Sequence, residues 1–258
     1  MYIARPPRSP VVASFVSSYW YCELDVRHDV EIVFPSAEGQ LVIGLDPLAP
    51  TDLSTLVGPS TVAAQMDATQ QRRAVGISLR MGAVSFLCDE NTRDLVDTRV
   101  DLETIWGSEA TKLTDRLRSM TVPGHMFDEF DATLLRRLDI SRHVDHHVVA
   151  AEEAIRLGVP VGQVPALLQT DRRRLARSFT ETIGFGLKSY SRLVRFREAV
   201  SRLREPSNTS VSMIAASLGY ADQAHLTREV KEFSGVTPGV LRAQPSSSPH
   251  HLVVADPT

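Results

Sequence analysis

Apolar positions in the first third of the chain come in short blocks, 16–21, 30–34 and 41–45, separated by charged or Pro/Gly/Ser stretches. Blocks of this length and composition predict strands, with residues 35–39 turning the chain between two of them. Residues 75–79 predict a further strand, and 82–87 fit either a strand or a helix. From residue 108 the period changes. Ser108 can cap, Glu109 suits a first helical turn, and Leu113 and Leu117 lie four apart on one face. Phe127, Phe130, Leu134, Leu135 and Leu138 recur at three- and four-residue steps and predict a second amphipathic helix. Residues 1–140 therefore read as α+β, strands first and helices after.

Residues 139–147 are polar and histidine-rich, which predicts a linker, and Asp145 is placed to cap a helix over 148–157 that stops at Gly158. The pattern then becomes wholly helical and repeats. Residues 164–179 and 214–230 share one template of a helix, a tight turn, an Asp and a second helix; Leu175 and Leu226 stand 51 residues apart, with Arg177 and Arg228 two residues further on. In the second unit Thr209 or Ser210 can cap a leading helix to Leu218, Gly219 suits a left-handed turn, and Asp222 caps the following helix. Leu226, Val230 and Phe233 then face inward, so Gln223, Ala224, His225, Thr227 and Arg228 face elsewhere. In the first unit Asp171 caps, Leu175 and Phe179 are buried, and Arg172, Arg173, Arg174 and Arg177 project. Between the units Leu193, Phe196, Val200 and Leu203 stripe a helix over 188–204. Such a rod is about 25 Å long at ~1.5 Å per residue. It could hold two recognition helices roughly one DNA turn, ~34 Å, apart, or less on bent DNA. The expected organisation is an α+β N-terminal domain over 1–140, then an all-α C-terminal domain over 148–243 with two helix-turn-helix units joined by a linker helix. A tail over 244–258 is expected to be disordered.

Charge sharpens the division. The net charge of −3 hides 14 Lys/Arg against 9 Asp/Glu over residues 151–244 and 14 against 21 over 1–150. A basic module beside an acidic one fits a DNA reader fused to a unit that does not touch DNA. Arginine forks suit guanine edges and phosphates. Arg173 and Arg177, four apart on one face, are placed as base readers, and Arg172 and Arg174 as phosphate contacts. Lys188 and Arg192 join this set, and Arg192, Arg195 and Arg202 lie on the polar face of the linker helix, where phosphate can pass. The 258 residues are 43% apolar, enough for real cores. No run of about 18 apolar residues is present and no membrane partner is expected. The N-terminus lacks a signal-peptide run, and two distant cysteines, Cys22 and Cys88, fit a reducing cytoplasm.

The C-terminal module resembles the AraC/XylS family of bacterial transcription regulators over residues 148–243. The resemblance is carried by Arg195-x-x-x-Ala199-x-x-x-Leu203, Ile214-Ala215-x-x-x-Gly219-Tyr220-x-Asp222, His225-Leu226-x-Arg228 and Phe233-x-Gly235-x-Thr237-Pro238-x-x-x-Arg242. It implies a seven-helix module that binds double-stranded promoter DNA, with base-contacting positions on Arg173, Arg177, Gln223, His225 and Arg228. The chain departs from the pattern at Pro165, Gln169, Leu187 and Val230, and Pro165 requires the first unit's leading helix to be short. The N-terminal half is similar to a sensor-type domain attached to many such regulators, on Val16-x-x-Tyr19-Trp20, Gly58-Pro59, Arg80-x-Gly82-Ala83 and Val100-Asp-Leu102-x-x-x-Trp106-Gly107. The resemblance leaves room for a small-molecule effector, a homodimer and an RNA polymerase contact as further partners.

Other chemistry is thinner. His143, His146 and His147 fit a solvated linker or a metal site, and no Cys or paired carboxylate completes a ligand set, so no metal or cofactor is expected. Cys88, beside Phe86 and Leu87, fits a buried inert thiol better than a redox sensor, and Trp20, Tyr21 and Trp106 fit core packing better than a ligand pocket. No catalytic motif stands out, so an enzyme is not expected. The competing readings are a DNA-repair enzyme with an accessory helix-turn-helix module, which would need a reactive-cysteine or zinc motif, and a protein-binding regulator that has lost DNA recognition.

Overall fold

The computed structural model describes residues 1–23, 30–46, 54–67, 72–88, 90–137, 144–243 and 251–254. Its N-terminal half runs β1 (Tyr2–Arg5), α1 (Pro10–Ala13), β2 (Val16–Glu23), β3 (Val30–Val33), β4 (Gln40–Gly44), β5 (Ser54–Val57), β6 (Ala64–Asp67), β7 (Arg73–Leu79) and β8 (Arg99–Asp101), followed by α2 (Leu102–Trp106), α3 (Ser108–Ser119) and α4 (Pro123–Arg137). The helical half is α5 (His146–Arg156), α6 (Val164–Leu167), α7 (Arg172–Ile183), α8 (Leu187–Arg204), α9 (Val211–Ser217), α10 (Gln223–Ser234) and α11 (Pro238–Ala243), and β9 (His251–Val254) closes the chain's described part. The order is strands, then helices, as the change of period predicts. The ambiguous segment 82–87 contains a single 3-10 turn at Val84–Phe86. Leu138 lies outside the described residues, and Leu135, expected on the apolar stripe, is instead 49% exposed.

Six strands form an antiparallel sheet in the order β1-β2-β7-β4-β5-β8. Alternation along β2 sends Tyr19 and Tyr21 into the core shared with α3 and α4. Tyr19 stacks on Phe127 and Phe130, each at 5.8 Å, and donates its hydroxyl to Asp131 at 2.6 Å. That hydrogen bond, with one from the Arg8 N–H at 3.2 Å, satisfies a carboxylate buried on α4. Trp20 covers the opposite face, where Gly76 leaves room: a Cβ there would sit 2.3 Å from the indole. Trp106 is also buried and donates its indole N–H to the Leu87 carbonyl. Trp20, Tyr21 and Trp106 thus serve packing. Cys88 is buried with its thiol 3.6 Å from the Val84 carbonyl, and burial pushes the Cys22 thiol up to about 11, away from the thiolate form.

The second sheet, β6-β3-β9, takes in residues 251–254 of the tail expected to be disordered, and the rest of that tail lies outside the described residues. His251–Val254 pairs antiparallel with Val30–Val33. The Leu252-Val253-Val254 run has strand chemistry, and β3 offers it an edge whose N–H and C=O groups would otherwise be unpaired.

A second departure concerns the cores. The core of the helical half takes in Ile32, Phe34 and Ala37 from the N-terminal half. Phe34 meets Phe196 of α8 edge-on at 5.8 Å, and the Arg204 guanidinium lies 5.0 Å above the Phe34 ring. Phe34→Ala should therefore cost about 3–5 kcal/mol, as expected for truncating a buried aromatic. In urea unfolding followed by exchange of helical amides, the loss should fall on α8 and its neighbours. A loss confined to the six-stranded sheet would contradict this placement.

Candidate nucleic-acid interface

The two helix-turn-helix units are built alike. In the first, the Gln169 N–H donates to Ala166 O at 3.2 Å and Thr170 N–H to Pro165 O at 3.0 Å. In the second, the Gly219 N–H donates to Ala216 O at 3.3 Å and Tyr220 N–H to Ala215 O at 3.0 Å. Both turns pass through the left-handed region, at Gln169 (φ 50°) and Gly219 (φ 72°). A glycine adopts it freely, whereas Gln169 does so at a steric cost. The leading helices correspond at an offset of 50 residues and the recognition helices at 51, because Ala221 has no counterpart in the first turn. Pro165 sits in the first turn of the four-residue α6, where its missing N–H costs nothing.

Aspartates start both recognition helices. Asp171 Oδ1 accepts from the Arg174 N–H at 2.8 Å, and Asp222 Oδ1 from the His225 N–H at 2.6 Å. Ser210, not Thr209, caps α9 through the Met213 N–H. Leu175, Phe179 and Ile183 on α7, and Leu226, Val230 and Phe233 on α10, are buried. Arg172, Arg173, Arg174 and Arg177 stand exposed in a contiguous patch on the first turns of α7, and Gln223, Ala224 and Arg228 are exposed on α10. Among the described residues, Arg172, Arg173, Arg174, Arg228 and Lys188 take part in no ion pair, and Arg177 reaches Glu181 only at 4.0 Å. Cations left unneutralised on a surface are available to a polyanion.

Five placements differ from this pattern. The His225 ring turns back on the preceding turn: its Nδ1 accepts from the Ala221 N–H at 3.3 Å, and it meets Tyr220 edge-on at 5.2 Å. With Nδ1 accepting, Nε2 carries the proton and is the edge left for an acceptor. Thr227 donates to the Gln223 carbonyl within its own helix. Arg192, expected to face phosphate, is engaged inside the protein. Its guanidinium pairs with Glu229 at 2.9 Å and Glu232 at 2.7 Å. Arg195 clasps Glu229 through both oxygens, with contacts of 3.0–3.1 Å, and lies 4.5 Å above the Tyr220 ring. Arg202 pairs with Glu198 and donates to Ser217.

Glu229 is the residue that sequence reasoning missed. It is 3% exposed, yet carries a charge in the inward stripe of α10, three residues after Leu226 and just before Val230. A carboxylate inside an apolar period is the signal that could have found it, since a buried charge needs partners. Its pairs rivet α10 to α8. Burial, followed by the nearby Glu229 charge, raises the Tyr220 hydroxyl well above the usual tyrosine value.

Asp145 caps α5 through the His147 N–H at 2.9 Å and accepts the Ser178 hydroxyl of α7 at 2.9 Å. His146 and His147 cluster with it, all ligand atoms within 4.8 Å, while His143 lies outside the described residues. Each carboxylate oxygen already accepts one hydrogen bond, Oδ1 from the cap and Oδ2 from Ser178, and a helix N-terminus opposes a cation. A cleft of about 1950 Å³ runs between the halves, lined among others by Phe15, Glu38, Met81, Glu152, Ile183 and Arg197. Among the described residues no helix is long and apolar enough to cross a membrane.

Residues 166–244 match the family described as a helix-turn-helix domain, and residues 5–101 match a domain of unknown function, DUF6597. No curated protein matches the sequence. Similar solved structures include ToxT from Vibrio cholerae O395, at 11% identity over 96% of this chain and 97% of that one, TM-score 0.43. An apo ToxT variant from strain SCE256 aligns at 12% identity over 94% and 100%, TM-score 0.44. The xylose-binding transcription activator XylR aligns at 17% identity over 57% and 40%, TM-score 0.33. The C-terminal region is an AraC-type helix-turn-helix domain. The helix-turn-helix match supports a DNA-binding transcription regulator.

Two outcomes check this geometry. Glu229→Ala should cost about 3 kcal/mol in urea unfolding, the low end for breaking a buried pair because both arginines keep some water; a loss below about 1 kcal/mol would show that α10 is held otherwise. The His147 N–H bond to the carboxylate, opposed by burial and reinforced by Ser178, holds Asp145 below the usual carboxylate range. A depressed folded value means that the charged cap stabilises above the unfolded carboxylate range, near pH 4, and that this is lost as pH falls further. The stability gap between wild type and Asp145→Asn should be full at neutral pH and close on acidification.

Proposed function

We propose that the chain is a sequence-specific regulator that reads promoter DNA with α7 and α10 and answers to an effector through residues 1–140. The observation that carries the reading is the duplicated Asp-capped helix whose first turns present exposed, unneutralised arginines beside an acidic N-terminal half. Arg173, Arg177, Gln223, His225 and Arg228 are assigned to base edges, and Arg172, Arg174, Thr227 and Lys188 to positioning on phosphate and groove wall. Arg192 is reassigned to positioning α10 through Glu229. Residues 148–243 form the DNA-reading unit. The cleft between the halves gives a small-molecule effector room to touch both. Dimerisation through residues 1–140, a contact with RNA polymerase and a cytoplasmic location belong to the same reading. A dimer is not needed to reach two grooves, because the chain carries two recognition helices.

Duplexes selected from a random pool by the full chain provide the probe. Arg177→Ala and Arg228→Ala should each cost about 1–3 kcal/mol and relax sequence preference. Arg172→Ala with Arg174→Ala should weaken binding to all sequences and lower the salt slope by about 1 for each phosphate no longer neutralised. Full affinity and unchanged preference in the Arg177/Arg228 double variant would overturn the assigned roles.

A further inference from the structure

The far end of α7, opposite its arginines, is gripped by the N-terminal half. Gly184 ends the helix at φ 94°, and a Cβ there would lie 2.3 Å from Val96 Cγ2 and 3.1 Å from the Thr92 carbonyl. On the other side, a Cβ on Gly82 would lie 2.6 Å from Thr182 Cγ2 and 3.4 Å from Val144 Cγ2. Thr92 is 2% exposed, and Met81, Val96 and Val144 pack against the helical core. Two glycines are thus spent on bringing backbone against side chain across the boundary between halves.

The turn that does the gripping is itself held from behind. Asp97, a non-glycine residue at φ 57°, donates its N–H to the Pro59 carbonyl at 2.8 Å. Its carboxylate accepts from the Thr61 N–H at 2.6 Å and the Thr61 hydroxyl at 2.7 Å. Gly58 donates to the Thr98 carbonyl at 3.1 Å and passes so close to Leu95 that a Cβ would lie 1.8 Å from the Leu95 oxygen. A left-handed non-glycine residue persists only where its surroundings over-determine it. The path is unbroken: β5, then residues 58–61, then 92–97, then the last turn of α7.

We propose that residues 58–61 and 92–97 form a seat that sets the position of the first recognition helix directly from the six-stranded sheet, while α10 is positioned on α8 by its own Glu229, held by Arg192 and Arg195. Gly58-Pro59 and Gly82, sequence features with no part in the DNA surface, find their use here. Met81, Val144 and Ile183 also line the cleft, so a molecule held there bears on the same seat. The inference rests on α7 being a DNA-reading helix.

Thr61→Val in the full chain tests it. The variant removes the hydroxyl that anchors Asp97, at a site with water access. Amide exchange of residues 180–184 should speed up about tenfold, with the α10 amides and the global unfolding midpoint unchanged. Thr61→Ser, which keeps the hydroxyl, should restore protection. A second variant, Val96→Asp, places a carboxylate against Gly184 and should give the same localised loosening. Unchanged exchange at 180–184 in both, or loosening shared equally by α7 and α10, would overturn the seat. The readout uses no DNA, so its failure is distinct from failure of the DNA reading, which appears as absent binding by the wild type.

Discussion

Phe196 is the residue on which the arrangement depends. It sits fully buried at the middle of α8, with Phe34 of the N-terminal half edge-on at 5.8 Å and Phe233 of α10 at 5.0 Å. One aromatic row therefore crosses three parts of the molecule. Aromatic pairs combine large apolar burial with preferred orientations, so the row fixes angle as well as distance. The linker helix is consequently more than a spacer between two units. It is the surface on which the sheet-bearing half and the second recognition helix are both assembled.

Electrostatics divides the arginines into two populations. Arg192 and Arg195 are drawn inward by one buried carboxylate, and the cost of burying Glu229 is offset only because two guanidiniums and close hydrogen bonds meet it. Arg172, Arg173 and Arg174 have no such partner among the described residues and lie on a helix start. Cations at that end oppose the helix dipole. Asp171 offsets part of the strain by capping. The patch is thus locally unfavourable for the isolated protein and favourable once a polyanion arrives, which is the electrostatic character expected of a surface selected for binding.

Much of this was legible in the residues. Asp145, Asp171 and Asp222 declare themselves as caps because each precedes an apolar stripe, and the stripe of α8 needs only its three- and four-residue steps. The exposed set on α7 follows by subtraction from Leu175 and Phe179. What was hidden belongs to tertiary structure. Arg192 reads as a solvated cation until Glu229 is found 37 residues away. Phe34 reads as part of a strand block, and nothing local says that its ring enters the other half's core. The edge strands β1 and β9 are short, and their pairing depends on an available partner edge as well as on propensity.

The two units are alike in hydrogen bonding but not in how firmly they are made. The second turn places glycine where the left-handed backbone is needed; the first places Gln169 there and is one residue shorter, with a leading helix of only one turn. By itself such a unit is the weaker of the two. It is also the one whose recognition helix is clamped at Gly184 by the N-terminal half and tied to Asp145 through Ser178. Weak local structure together with strong external contact makes the position of α7 depend more on the N-terminal half than on its own unit. The second unit, with glycine in its turn and Glu229 holding α10 to α8, is the more firmly built of the two.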